Sequence, residues 1–354
     1  VTGQEKVLVV GPSWVGDMVM AQALYKLLRQ RNPAREIHVV APPWSLPVLE
    51  RMAEVTRGIE LTVSHGEFGL GRRRTLARQL RAERYTHAIV LPRSVKAALV
   101  PWLARVARRT GFRGEWRYGL LNDVRRLDGR LDQTVKRFVA LGLERDEALP
   151  ESLPPALRPR LRMDTANFER LRIEHVLAAD ARLVALMPGA EYGPAKRWPA
   201  AHYGAVAAAL AAEGADVLVL GSAKEKTLGE EVVATAANPR VRNLCGRTSL
   251  ADVVDLLAAA DVAVSNDSGL LHVAAAAGAP VVALYGSSSA AFTPPLTDAA
   301  AVVSLELECS PCFARECPLG HLRCLRDLDP ATVLRAIAAQ RIDRSSGSHA
   351  SNGP

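Results

Sequence analysis

One stretch constrains the fold more than any other: residues 261–285, DVAVSNDSGLLHVAAAAGAPVVALY. Its pattern predicts strand, loop, helix and strand in succession. Residues 261–265 form a short apolar run of the kind buried in a parallel sheet. Asn266, Asp267, Ser268 and Gly269 turn the chain, with Asp267 and Ser268 as natural N-caps for a small-residue helix over 270–277. Residues 280–285 give the next strand. A helix start at the carboxyl end of such a strand offers free backbone N–H groups and a positive dipole end, a site for an anion such as phosphate. Gly269 allows close approach of that anion, and His272, one turn into the helix, is placed to donate to it. Read locally, the same residues also serve as plain caps and a core histidine, so the rest of the chain has to decide.

The strand–helix alternation recurs along the whole chain. Strands are expected at 6–10, 37–41, 59–63 and 87–91, then at 183–187, 216–220, 241–245, 262–265 and 281–285. Helices are expected at 18–31, 73–84 and 133–141, then at 200–213, 224–236 and 250–259. Such alternation implies parallel βαβ units. Four prolines within 150–159 mark an edge between two halves. The organisation is therefore α/β: a Rossmann-like domain over 1–160, a second over 161–330, a C-terminal helix over 331–344 and a disordered tail over 345–354.

Length and composition fit this reading. The 354 residues are enough for two cores, and 49% apolar with 23% charged residues is globular composition. No apolar run approaches the roughly 20 residues needed to span a bilayer, and the opening VTGQEKVLVVG has no signal-peptide pattern. A cytoplasmic protein is expected. Net charge is +8, and between Arg72 and Arg117 thirteen Lys or Arg face two acids, Glu83 and Glu115. Such a patch suits an anionic partner: nucleic acid, a phosphorylated lipid or an anionic membrane surface. Aromatic residues are only 5%, with no stacking series among the arginines, which argues against single-strand nucleic acid.

Two loops carry candidate chemistry. Gly11-Pro-Ser-Trp-Val-Gly16-Asp17 follows the first strand but lacks both the GK[ST] ending of a P-loop and the GxGxxG of a dinucleotide site. Its distinctive residue is Asp17 at a helix N-terminus, where the dipole favours the carboxylate. The run 188–199, PGAEYGPAKRWP, is longer than a strand-to-helix connection requires. In it Lys196 can set a point charge on a phosphate. Separately, Cys309-x2-Cys312-x4-Cys317-x6-Cys324, with His321 nearby, has the density of a structural zinc site, although free thiols or a redox pair also fit. Asp327 and Asp329 precede Pro330 and are expected to cap a helix.

Taken together, VLVVGPSWVGDMVMAQALYKLL, LPRSVKAALVP, RTGFRGEWRYGLLNDVR, PGAEYGPAKRWP, LGSAKE, VSNDSGLLHVAAAAGAPVVALYG and FTPPL resemble the ADP-heptose:lipopolysaccharide heptosyltransferases. The resemblance runs from Val7 to about Tyr285 and on to FTPPL. It implies a GT-B fold, two Rossmann-like parallel-sheet domains facing a central cleft, and inverting transfer that needs no metal cofactor. The donor would be ADP-L-glycero-D-manno-heptose, and the acceptor the first heptose of a phosphorylated Kdo-lipid A core (heptosyl-Kdo2-lipid A). Asp17 becomes the general base. Gly189, Ala190, Lys196, Glu225, Asn266, Asp267, Ser268, Gly269 and His272 become the donor contacts, with Asp267 orienting the loop rather than binding phosphate. Ser13, Trp14, Gly16, Arg93, Lys96, Arg113 and Arg117 become acceptor contacts, and the basic half implies peripheral attachment to the inner face of the inner membrane. Alternatives are transfer to Kdo2-lipid A itself, another GT-B enzyme such as a nucleotide-sugar epimerase, or a non-catalytic binding protein.

Overall fold

The computed structural model describes residues 5–63 and 67–347. The chain divides into two compact units, 1–162 and 163–354.

The first unit contains β1 (Lys6–Val10), β2 (Glu36–Ala41), β3 (Arg57–Glu60), β4 (His87–Val90), β5 (Arg108–Phe112) and β6 (Asp123–Arg125). The second contains β7 (Leu183–Met187), β8 (Asp216–Val219), β9 (Val241–Asn243), β10 (Val262–Asn266), β11 (Val281–Leu284) and β12 (Ala300–Val303). Each set forms one parallel sheet, in the orders β3-β2-β1-β4-β5-β6 and β12-β11-β10-β7-β8-β9. Both are the doubly wound order in which the chain reverses direction beside the first strand, here between β1 and β4 and between β7 and β10. Ligands of such sheets bind at the carboxyl ends of strands next to that reversal. The two Rossmann-like units expected of a GT-B chain are both present.

The central strands are continuous apolar runs because helices cover both faces of a parallel sheet. All five residues of β7, LVALM, and of β10, VAVSN, are buried. In the second unit Val184, Leu186, Val217 and Val264 pack with Trp198 and Tyr203 from the loop after β7 and the helix that follows it. Leu8, Val40 and Ala88 join Leu76 and Leu80 in the first unit. Helix Gly269–Ala277 stops at Gly278, whose φ of 93° is accessible to glycine at little cost.

Several boundaries differ from those the pattern predicts. β5, β6 and β12 were not expected: RRTGF and DVR are polar, and AAVV is short, as suits strands toward a sheet edge. β3 begins two residues before the apolar run at 59–63. Helix Val15–Arg31 starts a turn earlier than residue 18, so Asp17 lies inside its first turn rather than ahead of it. Helix Thr165–Glu174, capped by the Asp164 carboxylate, went unanticipated after the proline-rich edge. The last helix, Pro330–Gly347, includes the first residues of the expected tail, and 348–354 lie outside the described residues. Asp329 caps that helix as expected, accepting from the Ala331 N–H at 2.9 Å.

Candidate active site

In the first unit, β1, β4 and β5 are adjacent and parallel, so the segments that follow them leave from one edge of the sheet. The segment after β1 carries exposed Ser13 and Trp14, then buried Gly16 and half-buried Asp17. The Ser13 carbonyl accepts from Trp44 Nε1 at 2.9 Å, which fixes the loop before the helix. Asp17 is the one acid in the first turn of its helix, where the dipole stabilises negative charge. After β4 come Arg93 and Lys96, and after β5 comes Arg113. Arg93 and Arg113 are exposed and Lys96 half-buried. The geometry thus brings one carboxylate and three cations to one edge.

Arg117 departs from the expected role. It is only 3% exposed, and its guanidinium donates inward to the carbonyls of Pro92, at 2.6 Å, and Phe112. Burial, with Arg93 adding, pushes its pKa down to about 10. Arg117 braces the loops after β4 and β5 and does not face an acceptor.

In the second unit the loop after β7 and the turn after β10 are locked together by Asn266. Its Oδ1 accepts from the Trp198 backbone N–H and the Tyr203 hydroxyl, each at 3.1 Å. Its Nδ2 donates to the Pro188 carbonyl at 2.7 Å. Asn266 is fully buried, so it holds the loop in place instead of presenting a side chain to a ligand. Trp198, also fully buried, donates from Nε1 to the Leu328 carbonyl at 2.9 Å and packs on Tyr203.

This frame delivers Lys196 to the turn. Its Nζ lies 2.5 Å from Asp267 Oδ2, and the other Asp267 oxygen accepts from the Thr293 hydroxyl at 3.2 Å. Asp267 is buried and so serves as an anchor for the lysine. Ser268 occupies the N-cap position of helix Gly269–Ala277, yet neither it nor Asp267 makes the expected side-chain cap. The Ser268 hydroxyl instead lies 3.3 Å from that of Ser265. The helix start therefore presents N–H groups with no side-chain cap beside a lysine. His272 is buried in the same place and its Nδ1 has no hydrogen-bond partner. Burial, reinforced by Lys196 and opposed by Asp267, lowers its pKa and favours the neutral imidazole.

Gly189, at the carboxyl end of β7, faces Glu225 beyond β8. A Cβ on Gly189 would overlap the Glu225 carboxylate. One oxygen of that carboxylate accepts from the Ser222 N–H at 2.6 Å and hydroxyl at 2.9 Å, closing a capping box. Ala190 is buried beside this pair. Residues 189, 190, 196, 225 and 266–272 thus share the carboxyl edge of the second sheet.

Sequence reasoning missed three polar groups on this edge. Ser287 and Ser288, just past β11, have buried hydroxyls without partners. Thr293 fixes Asp267 and is itself held by the Tyr285 hydroxyl, which donates to its carbonyl at 2.6 Å. The run GSSS after an apolar strand was the available signal for the serines. No disulfide joins the four clustered cysteines: Cys309, Cys312, Cys317 and Cys324 are free thiols, as is Cys245. As the side chains stand, no group of three or more His, Cys, Asp or Glu among the described residues is arranged to hold a metal ion.

The model of glycosyltransferase family 9 (heptosyltransferase) matches residues 73–323. The chain is 43% identical to lipopolysaccharide heptosyltransferase 2 of Salmonella typhimurium, over 94% of this chain and 97% of that one. It is 44% identical to the Escherichia coli protein of the same name, over 94% and 98%. The solved structure of E. coli ADP-heptose lps heptosyltransferase II matches with a TM-score of 0.86 at 42% identity, covering 96% of this chain and 99% of that one. A family match over more than half the chain and relatives aligned nearly end to end lead to one conclusion: the chain belongs to glycosyltransferase family 9, the heptosyltransferases.

Proposed function

We propose that this glycosyltransferase moves a heptose from ADP-L-glycero-D-manno-heptose to the first heptose of the lipopolysaccharide inner core, on heptosyl-Kdo2-lipid A. The observation that carries the reading is the 42–44% identity, at nearly full length, to heptosyltransferases 2. The arrangement on each sheet edge supplies groups suited to each half of the reaction.

On the first unit, Asp17 takes the proton of an acceptor hydroxyl while that oxygen forms a bond to the anomeric carbon. The carbon–oxygen bond to the β-phosphate breaks, and ADP departs with the electron pair from the opposite face, inverting the centre. Charge growing on ADP meets Lys196 and the N–H groups at the start of helix Gly269–Ala277. A neutral His272 contributes a donor without adding charge. Glu225 is suited to accept from ribose hydroxyls, and the missing side chain at Gly189 leaves the space that its carboxylate fills. No step requires a metal ion.

Arg93, Lys96 and Arg113 receive the phosphates and Kdo carboxylates of the acceptor, and the same basic face holds the protein at the inner leaflet by charge. Among the described residues no helix is long and apolar enough to cross a membrane. The test is ADP release from ADP-heptose with Kdo2-lipid A or heptosyl-Kdo2-lipid A as acceptor. Release only with the second is expected. Asp17→Asn is expected to lower kcat at least about 100-fold with ADP affinity within twofold. Release only with Kdo2-lipid A, or full activity of Asp17→Asn, would overturn the assignment.

A further inference from the structure

One feature of the second unit has no part in the transfer chemistry. Between β12 and Arg323 the chain runs through residues 304–322 without helix or strand. A segment that long rarely keeps one shape in a compact domain unless something ties it down. This one carries Cys309, Cys312 and Cys317, with Cys324 just beyond. All four, with His321, border one small cavity of about 20 Å3. That volume suits one water-sized body.

The backbone around the cavity is shaped for a sulfur ligand. The Gly320 N–H donates to the Cys317 carbonyl at 3.0 Å, and Gly320 takes a φ of 68°, closing a tight turn. The Leu322 N–H then donates to Cys317 Sγ at 3.5 Å, the kind of support that orients a thiolate ligand. The thiols do not converge as they stand, but each Sγ turns on a single torsion. One rotamer step moves it about 3 Å, comparable to the width of the cavity.

The same segment is strapped to the loop that carries Lys196. The Ala195 N–H donates to the Arg315 carbonyl at 3.1 Å, and the Tyr192 hydroxyl to the Phe313 carbonyl at 2.9 Å. A Cβ on Gly193 would strike the Arg315 carbonyl. The Phe313 N–H donates to the Ser287 carbonyl at 2.6 Å, and the Ser310 hydroxyl donates to that of Gly286. Whatever fixes segment 304–322 also fixes the lysine loop.

We propose that Cys309, Cys312, Cys317 and Cys324 bind one thiophilic divalent ion of the zinc class, and that this ion clamps segment 304–322 against loop 188–199. Four thiols release their protons to solvent as four sulfur–metal bonds form, which gives the tetrahedral all-sulfur set that zinc favours. The metal site stands apart from the heptosyl reading. Only its consequence for donor binding rests on that reading.

The test begins with metal analysis of the full chain, expressed in zinc-supplemented medium and purified in reductant without chelator. One zinc per chain is expected, released in step with four thiols during organomercurial titration. Cys312 is exposed, so Cys312→Ser should fold and lose most of the zinc, whereas Cys245→Ser should retain it. Chelation should lower Tm and raise the Kd for ADP at least fivefold, with recovery on adding zinc but not magnesium. Metal-free protein, or a Cys312→Ser variant that keeps a full equivalent, would overturn the proposal. Stoichiometric zinc in a protein inactive on both acceptors would leave the site standing and sink the heptosyl assignment.

Discussion

Replacing Asn266 with alanine removes the brace between β10 and the lysine loop, and the structure allows the cost to be worked out. Three close bonds are lost, to the Trp198 N–H, the Tyr203 hydroxyl and the Pro188 carbonyl, along with a long one to the Gly189 carbonyl at 3.5 Å. The Tyr203 hydroxyl has a second acceptor, the Met187 carbonyl at 3.3 Å, and can turn fully to it. That leaves one donor and one acceptor stranded in a fully buried place. Each stranded group costs about 1–3 kcal/mol, so a loss of about 4 kcal/mol is expected. For a unit the size of 163–354, each kcal/mol moves Tm by about 2–4 °C, which predicts a drop of about 8–16 °C. Differential scanning calorimetry near pH 7.5, without nucleotide, reads this directly. Isothermal titration on the folded variant at low temperature should also show weaker ADP binding, because Lys196 rides on the freed loop. A drop below about 2 °C would refute the accounting, since it would mean that water or the backbone satisfies those groups at no cost.

Further outcomes follow from other parts of the molecule. Lys196→Met leaves the Asp267 carboxylate, 5% exposed, with only the Thr293 hydroxyl, and should cost about 3 kcal/mol, as for other broken buried pairs. Adding Asp267→Asn should restore most of the Tm but not the ADP affinity, which separates the anchor from the anion contact. Burial, with Arg108 adding and Asp123 opposing, holds His87 down to about 4 from an ordinary 6.5. The unfolded chain therefore takes up the proton first, and stability should fall as pH drops from about 6.5 to 4, by up to about 3 kcal/mol. Urea titrations across that range should show His87→Gln with a shallower decline. Arg113→Ala should raise the acceptor KM several-fold with Tm unchanged, whereas Arg117→Ala should lower Tm by several degrees, because its carbonyl partners lie inside the unit. Equal behaviour of the two variants in calorimetry and acceptor titrations would contradict that distinction.

The strands legible in the sequence are those whose burial is continuous. β1, β7 and β10 lie inside their sheets and read as apolar runs interrupted only by Lys6 at the start of β1 and Ser265-Asn266 at the end of β10, and each appears within a residue or so of expectation. β5, β6 and β12 are held largely by pairing to a neighbour, and RRTGF and DVR give the alternation rule almost nothing to detect. The site shows the same division. The NDSG turn and the lysine loop are local and were visible. Their connection is not: Lys196 and Asp267 meet across 71 positions, and Asn266 reaches Trp198 across 68. Arg113 and Arg117 are alike in local sequence, four residues apart in one basic stretch. Only the packing of Arg117 under Pro92 and Phe112 separates a surface cation from an internal brace.

The two units share one topology but differ in the burial of the polar groups on their carboxyl edges. On the second sheet Asn266, Asp267 and His272 are all nearly or fully buried, and the lysine is held by an ion pair. On the proposed function, groups fixed in this way lose little entropy when the nucleotide arrives, and they need no reorganisation as charge builds on the leaving phosphate. On the first sheet Arg93 and Arg113 are exposed on loops, with Arg93 Nε donating to the Arg113 carbonyl at 3.3 Å, on the edge that the proposed function gives to a larger acceptor. Arg117 sits beneath them as an internal guanidinium that keeps those loops in place without enclosing their tips. On the proposed function, a chain that binds one invariant leaving group and one bulky lipid-linked sugar gains from having the first site built rigid and the second built loose. Doubly wound sheets permit this because their carboxyl-edge loops vary while the strands beneath them stay the same.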